Sequence, residues 1–205
     1  MKGERQTKAR KEAPVPAKGK RAAGPALEGR RRVVIEHVSP EIDGGRFPIK
    51  RVVGESVVVE ADVFADGHDE IAGALRYRGE GTDTWSDVPL VLVENDRWRA
   101  SFDVTEQGIY YYTVIAWVDH FRSWQRDMRK RVAAGQDVTV DLMIGRDLVK
   151  AAAQNTAGND GGRLAEFAAS MENGGDRERI LDLALGQKLT ELMTAHAARP
   201  WPTVY

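Results

Sequence analysis

The longest run of β-branched and aromatic residues in the chain, GIYYYTVIAWVD at positions 108–119, is apolar on both of its alternating faces. Side chains of a strand point alternately to its two faces, so a strand with one face in water alternates apolar with polar residues. One face carries Tyr110, Tyr112, Val114, Ala116 and Val118, and the other carries Ile109, Tyr111, Thr113, Ile115 and Trp117. We therefore predict a strand covered on both sides: by a second sheet on the first face, and by helices, another domain or another subunit on the second.

Shorter alternating runs surround this strand at roughly the 8–12-residue spacing of all-β domains, with Gly-, Pro- and Asp-rich turns between them. Strands are predicted before it at residues 33–38, 56–64, 71–78, 85–93 and 97–104, and after it at residues 123–132 and 138–144. Tyr110, at the start of the central strand, resembles the tyrosine that enters strand F of immunoglobulin-like domains, with Tyr112 in place of the usual cysteine. We predict an immunoglobulin-like β-sandwich over residues 33–145.

The apolar spacing changes from two to about 3.6 residues after Gly145, which is typical of amphipathic helices. One stripe consists of Leu164, Phe167, Ala168 and Met171, and a longer one over residues 176–197 consists of Leu181, Leu185, Leu189, Leu192 and His196. A third, shorter helix is predicted at residues 147–154. Helices this short are marginal alone, so a small helical bundle is predicted over residues 146–198, and the fold class is mainly β plus α. Residues 199–205 (RPWPTVY) carry no obvious closing element and are predicted to begin a linker.

The 205 residues are 42% apolar and 30% charged, which is ordinary for a soluble globular protein. The absence of cysteine excludes disulfides, a thiolate nucleophile and cysteine-ligated metals, and it fits a reducing compartment. No apolar run approaches the roughly 20 residues that span a bilayer, and the N-terminus lacks the apolar segment of a secretory signal. We therefore predict a cytoplasmic protein without a membrane partner.

The near-zero net charge conceals a basic N-terminal tail. Residues 1–32 carry eleven Lys or Arg and three Asp or Glu, a net charge of +8, whereas the other residues carry nineteen and twenty-eight, a net charge of −9. Such a tail can hold nucleic acid or an anionic membrane. It has no aromatic residue to stack on bases, however, and its charges are mixed with Ala, Gly and Pro, so a disordered tail without a nucleic-acid partner is predicted.

The sequence offers no familiar catalytic motif: it has no Gly-rich phosphate loop, GxSxG or HExxH, and no pair of carboxylates stands out as an acid and a base. The cluster of Asp66, His68 and Asp69 lacks the ligand spacing of an EF-hand and is interpreted as a polar turn. The four histidines are scattered and are interpreted as structural: His37, His68, His120 and His196. We predict no catalytic residue, metal site or cofactor site in this chain.

Exposed aromatic rings could bind sugars, because sugar-binding modules stack flat rings on pyranose faces. Trp117 and Trp124 flank the bend after the central strand and could form such a platform, although a contact between domains is favoured for both. Trp85 and Trp201 are further candidates, whereas Trp98 alternates with core residues and is predicted to be buried. The predicted interface combines the second face of the central strand with Trp124: Ile109, Tyr111, Ile115, Trp117 and Trp124.

Four strings, in order along the chain, resemble one family: VSPEIDGGRFPIKRVVGE, VEADVFADGHDEIAG, NDRWRASF and GIYYYTVIAWVDHFRSWQRDMRKRVAAGQDV. This family is the α-1,4-glucan:maltose-1-phosphate maltosyltransferases of the α-amylase superfamily. The resemblance covers residues 33–145 strongly and the helical segment to Tyr205 more weakly. It implies that this region is the family's N-terminal β-sandwich, joined by a small helical-bundle segment.

The resemblance further implies a full enzyme that moves a maltosyl unit from maltose 1-phosphate onto the non-reducing end of an α-1,4-glucan. That reaction retains configuration and uses two carboxyl groups on a (β/α)₈ barrel, expected beyond residue 205, so this chain is predicted to be a non-catalytic assembly region that is inactive alone. A homodimer would cover the second face of the central strand, and the loop at residues 43–50 would contact the barrel. The alternatives are a free-standing carbohydrate-binding module acting through Trp117 and Trp124, and a nucleic-acid or membrane adaptor acting through the tail.

Overall fold

The computed structural model describes residues 32–172 and 176–205, so the basic tail predicted at residues 1–32 lies, except for Arg32, outside the described residues. In the described part, eight strands form two antiparallel sheets of four. The strands are β1 (Val33–Ser39), β2 (Ser56–Ala65), β3 (Ile71–Gly79), β4 (Ser86–Pro89), β5 (Val91–Glu94), β6 (Arg97–Asp103), β7 (Tyr110–Val118) and β8 (Thr203–Val204). The first sheet has the order β1-β2-β6-β5, and the second has the order β4-β3-β7-β8.

The two sheets share one apolar core, which is built from the inward residues of both. The inward residues of β2 are buried, as their alternation predicts: Val57, Val59, Ala61 and Val63. Phe102 of β6 stacks on Tyr77 of β3 with 4.4 Å between ring centroids, which joins the sheets across the core. Trp98 is half-buried rather than fully buried, and its Nε1 donates to the Val63 carbonyl over 3.1 Å.

Among the described residues, five helices separate β7 from β8. They are α1 (His120–Ala133), α2 (Thr139–Gln154), α3 (Gly158–Glu172), α4 (Arg177–Leu185) and α5 (Gln187–His196). Their apolar faces meet in a second core, separate from the core between the sheets. The helix predicted from the stripe between Leu164 and Met171 is confirmed as α3, and the short helix predicted at residues 147–154 is the second half of α2.

The strands predicted at residues 123–132 and 138–144 are wrong, because α1 and α2 occupy these positions. Asp119 caps the start of α1, since its side chain accepts a hydrogen bond of 2.9 Å from the Arg122 amide. The large apolar residues of α1 then recur at helical spacing and are buried: Phe121, Trp124 and Met128. The helical part therefore begins with α1 rather than at residue 146.

The single long helix predicted over residues 176–197 is two helices. Gly186, at φ −71° and ψ 150°, has extended backbone and separates α4 from α5. A Cβ atom on this glycine would lie 2.7 Å from the Asp182 carbonyl oxygen, so the chain turns tightly against the end of α4. The two short helices can therefore pack at different angles on the helical core, which one straight helix could not do.

The last residues return to the second sheet, so the prediction that residues 199–205 begin a linker is wrong. Thr203 of β8 lies opposite Ala116 of β7. Tyr205 extends the pairing, because its amide donates to the Val114 carbonyl over 3.0 Å. The helices are thus an insertion between two neighbouring strands of one sheet.

Candidate interaction surface

One half of the outer face of the second sheet is covered by this chain itself. Trp117 and Ile115 of β7 lie opposite Ala72 and Ala74 of β3, and the four side chains pack as one apolar cluster. Trp117 is 8% exposed and Ile115 is 3% exposed. These two members of the predicted interface therefore need no second subunit to remove them from water.

Arg199, in the segment between α5 and β8, lies over Trp117. Its guanidinium carbon is 4.6 Å from the ring centre, a cation–π geometry. Its Nη1 is 2.6 Å from Oδ2 of Asp87 on β4, while Nε of Arg76 is 2.8 Å from Oδ1 of the same carboxylate. The hydrogen bond from Arg76 lowers the pKa of Asp87 most; burial opposes this shift, and Arg199 adds to it. The ionised carboxylate therefore holds Arg199 across the covered half.

Trp124 is also covered, but inside the helical core. Its Nε1 donates to the Asp141 carbonyl over 2.7 Å, and its ring centroid lies 5.4 Å from that of Phe121. Gly145 of α2 lies directly against the indole, where a Cβ atom would overlap the ring. Trp124 is 8% exposed, like Trp117, so neither ring has a free face and the sugar-binding platform considered for this pair is wrong.

The other half of the outer face is open to solvent. Ile109 is 49% exposed and Tyr111 is 45% exposed. Arg78 of β3 lies opposite Tyr111, with its guanidinium carbon 5.2 Å from the tyrosine ring centre and 5.1 Å from the ring centre of Trp85. We call this arrangement the Trp85–Arg78–Tyr111 ladder. Of the five predicted interface residues, the structure thus brings two to an open surface and buries three within the chain.

A second exposed apolar surface lies on α2. Val140, Met143 and Ile144 share one side of the helix, because they follow the i, i+3, i+4 spacing. They are 68%, 51% and 50% exposed, respectively, and we call them the α2 stripe. Sequence reasoning missed this stripe because its residues were assigned to a strand. Their helical spacing was the signal that could have revealed it.

The turn between β2 and β3 is held by an arginine, in agreement with its interpretation as a polar turn. Nε of Arg32 is 2.9 Å from Oδ1 of Asp66, and its Nη1 is 2.6 Å from Oδ2 of Asp69. Two histidines contact carboxylates elsewhere: His37 with Asp62, and His196 with Asp160. Within residues 32–172 and 176–205, no three His, Cys, Asp or Glu side chains lie close enough together to hold a metal ion. None of the helices described there has the length and apolar character to cross a bilayer.

Both sheets and all five helices fall within a single family match. Residues 31–205 match the family model described as Alpha-1,4-glucan:maltose-1-phosphate maltosyltransferase, domain N/S. The chain belongs to this family. The resemblance found in the sequence is therefore confirmed, and it extends through the helices and β8.

Curated maltosyltransferases from several bacteria are similar to this chain. That of Chlorobaculum tepidum is 44% identical over 179 residues, which are 87% of this chain and 27% of the relative. That of Myxococcus xanthus is 38% identical over 175 residues, 82% of this chain and 26% of the relative. That of Cereibacter sphaeroides is 42% identical over 147 residues, 72% of this chain and 24% of the relative. The chain thus spans about a quarter of the length of these maltosyltransferases.

Proposed function

We propose that this chain is the N-terminal, non-catalytic assembly region of a maltosyltransferase that transfers maltosyl units from maltose 1-phosphate to the non-reducing end of α-1,4-glucans. The match of residues 31–205 to domain N/S of the family carries this proposal. The relatives are about four times as long as the matched part, which leaves ample length for a catalytic (β/α)₈ barrel. We place the protein in the cytoplasm, in keeping with its lack of cysteine.

Hydrogen bonds hold four aspartates of the described residues in their ionised form. Hydrogen bonds from Arg76 and Arg126 lower the pKa values of Asp87 and Asp127, respectively. Hydrogen bonds from Thr139 and His196 do the same for Asp137 and Asp160, respectively. Such groups stay ionised and serve as partners in structural contacts.

The isolated 205-residue chain is expected to release no phosphate from maltose 1-phosphate in the presence of maltohexaose. Transfer of the maltosyl unit breaks its bond to phosphate, so phosphate release measures the reaction directly. The Chlorobaculum tepidum maltosyltransferase, which carries the remaining three-quarters of the family's length, serves as the positive control. Phosphate release in proportion to the concentration of the isolated chain would refute the non-catalytic assignment.

We further propose that the two sheets form an immunoglobulin-like sandwich. The Tyr110 hydroxyl accepts a hydrogen bond of 3.1 Å from the Glu106 amide, which resembles the tyrosine corner of that fold. The strand orders agree as well: the first sheet corresponds to strands A-B-E-D, and the second corresponds to strands C′-C-F-G. In this assignment β8 is strand G, and the helices are an insertion between strands F and G.

The assembly role is proposed to use the α2 stripe as the contact with a second copy of the chain. Soluble proteins seldom leave adjacent apolar side chains of one helix so exposed without a partner. The next turn supplies a polar rim, because Nη2 of Arg146 is 2.8 Å from Oδ1 of the exposed Asp147. A twofold axis would place the two copies of the stripe against each other. Ile115, Trp117 and Trp124 instead stabilise the chain internally.

Met143→Asp is expected to weaken self-association of the chain by at least about tenfold, because the carboxylate would be desolvated at the centre of the contact. Sedimentation velocity over a range of concentrations measures the dissociation constant. Val91→Asp is the matched control, since Val91 is 66% exposed and lies on β5 of the first sheet, away from α2. An unchanged dissociation constant for Met143→Asp, or an equal loss for Val91→Asp, would contradict the assignment of this surface.

A further inference from the structure

We propose that the open half of the second sheet is a docking site for an α-1,4-glucan chain, with the Trp85–Arg78–Tyr111 ladder as its platform. The class of ligand rests on the proposed function, while the site itself rests on the geometry of three side chains. Trp85 and Tyr111 are 38% and 45% exposed, so each ring has a substantial area in contact with water. They lie at the same end of the outer face, which Arg199 does not cover.

The ladder is held in place before any ligand arrives. Pairing of β3 with β7 puts Arg78 directly opposite Tyr111, and Trp85 immediately precedes β4 on the other side of β3. Because the guanidinium carbon is 5.1 Å from one ring centre and 5.2 Å from the other, the two ring centres are no more than about 10 Å apart. A cation between two rings stabilises both orientations. Rings that are already ordered lose little conformational entropy on binding.

A contact with the backbone helps to hold the arginine itself. Nη1 of Arg78 donates to the Thr82 carbonyl over 2.5 Å, within the loop that leads to Trp85. Its Nε is buried and has no hydrogen-bond partner in the described part of the chain. Arg78 therefore positions the two rings relative to each other as well as supplying charge.

The mixture of apolar and charged groups matches the two sides of a pyranose ring. A glucose unit has faces of C–H groups, which pack on aromatic rings, and a rim of hydroxyl groups, which needs hydrogen-bond partners. Asp83 is fully exposed beside Arg78, and the Arg76–Asp87 ion pair lies one step along the sheet. Carboxylates accept hydrogen bonds from sugar hydroxyls and guanidinium groups donate to them. The platform thus offers both kinds of contact.

The same composition disfavours a protein partner at this patch. A stable protein interface has an apolar centre depleted in charge and buries about 800 Å² on each partner. Here charged side chains lie among the rings, and the exposed aliphatic residue Ile109 immediately precedes β7. The exposed aliphatic residues of the α2 stripe suit a second copy better. The maltosyltransferases that this chain resembles are named for α-1,4-glucan, so a chain of α-1,4-linked glucose is the ligand to which we commit.

Isothermal titration of the 205-residue chain with maltoheptaose tests the proposal. We expect saturable binding, and we expect Trp85→Ala and Tyr111→Ala each to weaken it by about tenfold, the loss of a contact worth about 1.4 kcal/mol. Phe47→Ala is the matched control, because Phe47 is a 53% exposed aromatic residue on the loop between β1 and β2, and it should bind as the unmodified chain does. Circular dichroism and thermal unfolding verify that each variant is folded.

The outcomes separate this proposal from the proposed function. Absence of saturable binding, or equal binding by Trp85→Ala, Tyr111→Ala and the unmodified chain, would overturn the docking site. A Tyr111→Ala variant that loses self-association in sedimentation would also overturn it, because the patch would then be a protein interface. Failure of the proposed function appears elsewhere, as phosphate release by the chain alone or as an unaltered dissociation constant for Met143→Asp.

Discussion

Trp124→Ala is expected to lower the free energy of unfolding by about 3–5 kcal/mol, the usual loss when a large buried aromatic side chain is truncated. The indole fills the space between α1 and α2, and Gly145 leaves no side chain of its own to fill the resulting cavity. The change also removes the hydrogen bond of 2.7 Å from Nε1 to the Asp141 carbonyl. The start of α2 would thus lose both its packing and a polar contact with α1.

Chemical denaturation monitored by circular dichroism measures this loss as a lower midpoint with an unchanged slope. Trp85→Ala is the matched control, because the same residue type is removed from an exposed position. Its loss should stay below about 1 kcal/mol, the value of a cation–π contact at the surface. Equal losses for the two variants would show that the indole of Trp124 is not a determinant of the helical core.

Gly161→Ala is expected to destabilise the chain by about 1–3 kcal/mol, although alanine favours helix more than glycine does. Gly161 lies in the first turns of α3, where a Cβ atom would overlap the carbonyl oxygen of Thr156. That oxygen belongs to the backbone of the turn between α2 and α3, so it cannot move aside as a flexible side chain could. The turn or the start of α3 must shift instead.

The adjacent glycine supplies an internal control of opposite sign. Gly162 occupies the next position of the same helix, and a Cβ atom there would meet nothing within 4 Å. Gly162→Ala should therefore stabilise the chain by about 0.5–1 kcal/mol through helix propensity and reduced freedom of the unfolded chain. Thermal unfolding of the two variants gives the sign of each stability change. A stabilised Gly161→Ala variant would contradict the close approach of Gly161 to the Thr156 carbonyl oxygen.

The strands could be predicted where one local period determined the structure. In β2, β6 and β7, side chains alternate between a core and another environment, so a period of two is visible in the sequence alone. α3 was predictable because its apolar residues recur at the helical period of about 3.6 residues. The start of α2 was mistaken for a strand because β-branched residues such as Val138, Val140 and Ile144 favour strands locally, whereas packing in the helical core determines their conformation. For α1, the capping residue Asp119 was the sequence signal that indicated a helix rather than a strand.

The candidate surface could be predicted only in part, because it depends on which strands are neighbours. The two apolar faces of β7 were evident, and Ile115 and Trp117 are indeed covered on the outer face. Their cover could not be predicted: Arg199 reaches Trp117 only because β8 returns to the sheet, and β8 has two residues with no periodic pattern. The pairing of Arg78 with Tyr111 likewise follows from the register between β3 and β7, two strands that no single turn connects.

The insertion of the helices between β7 and β8 has a consequence for how the polypeptide matures on the ribosome. During synthesis, the amides and carbonyls along one edge of β7 stay unpaired until the helices have been translated and Thr203 has left the ribosome. An open edge of this kind is where a nascent chain aggregates with its neighbours. Substitutions in residues 203–205 that prevent this pairing should therefore reduce the soluble yield of the chain.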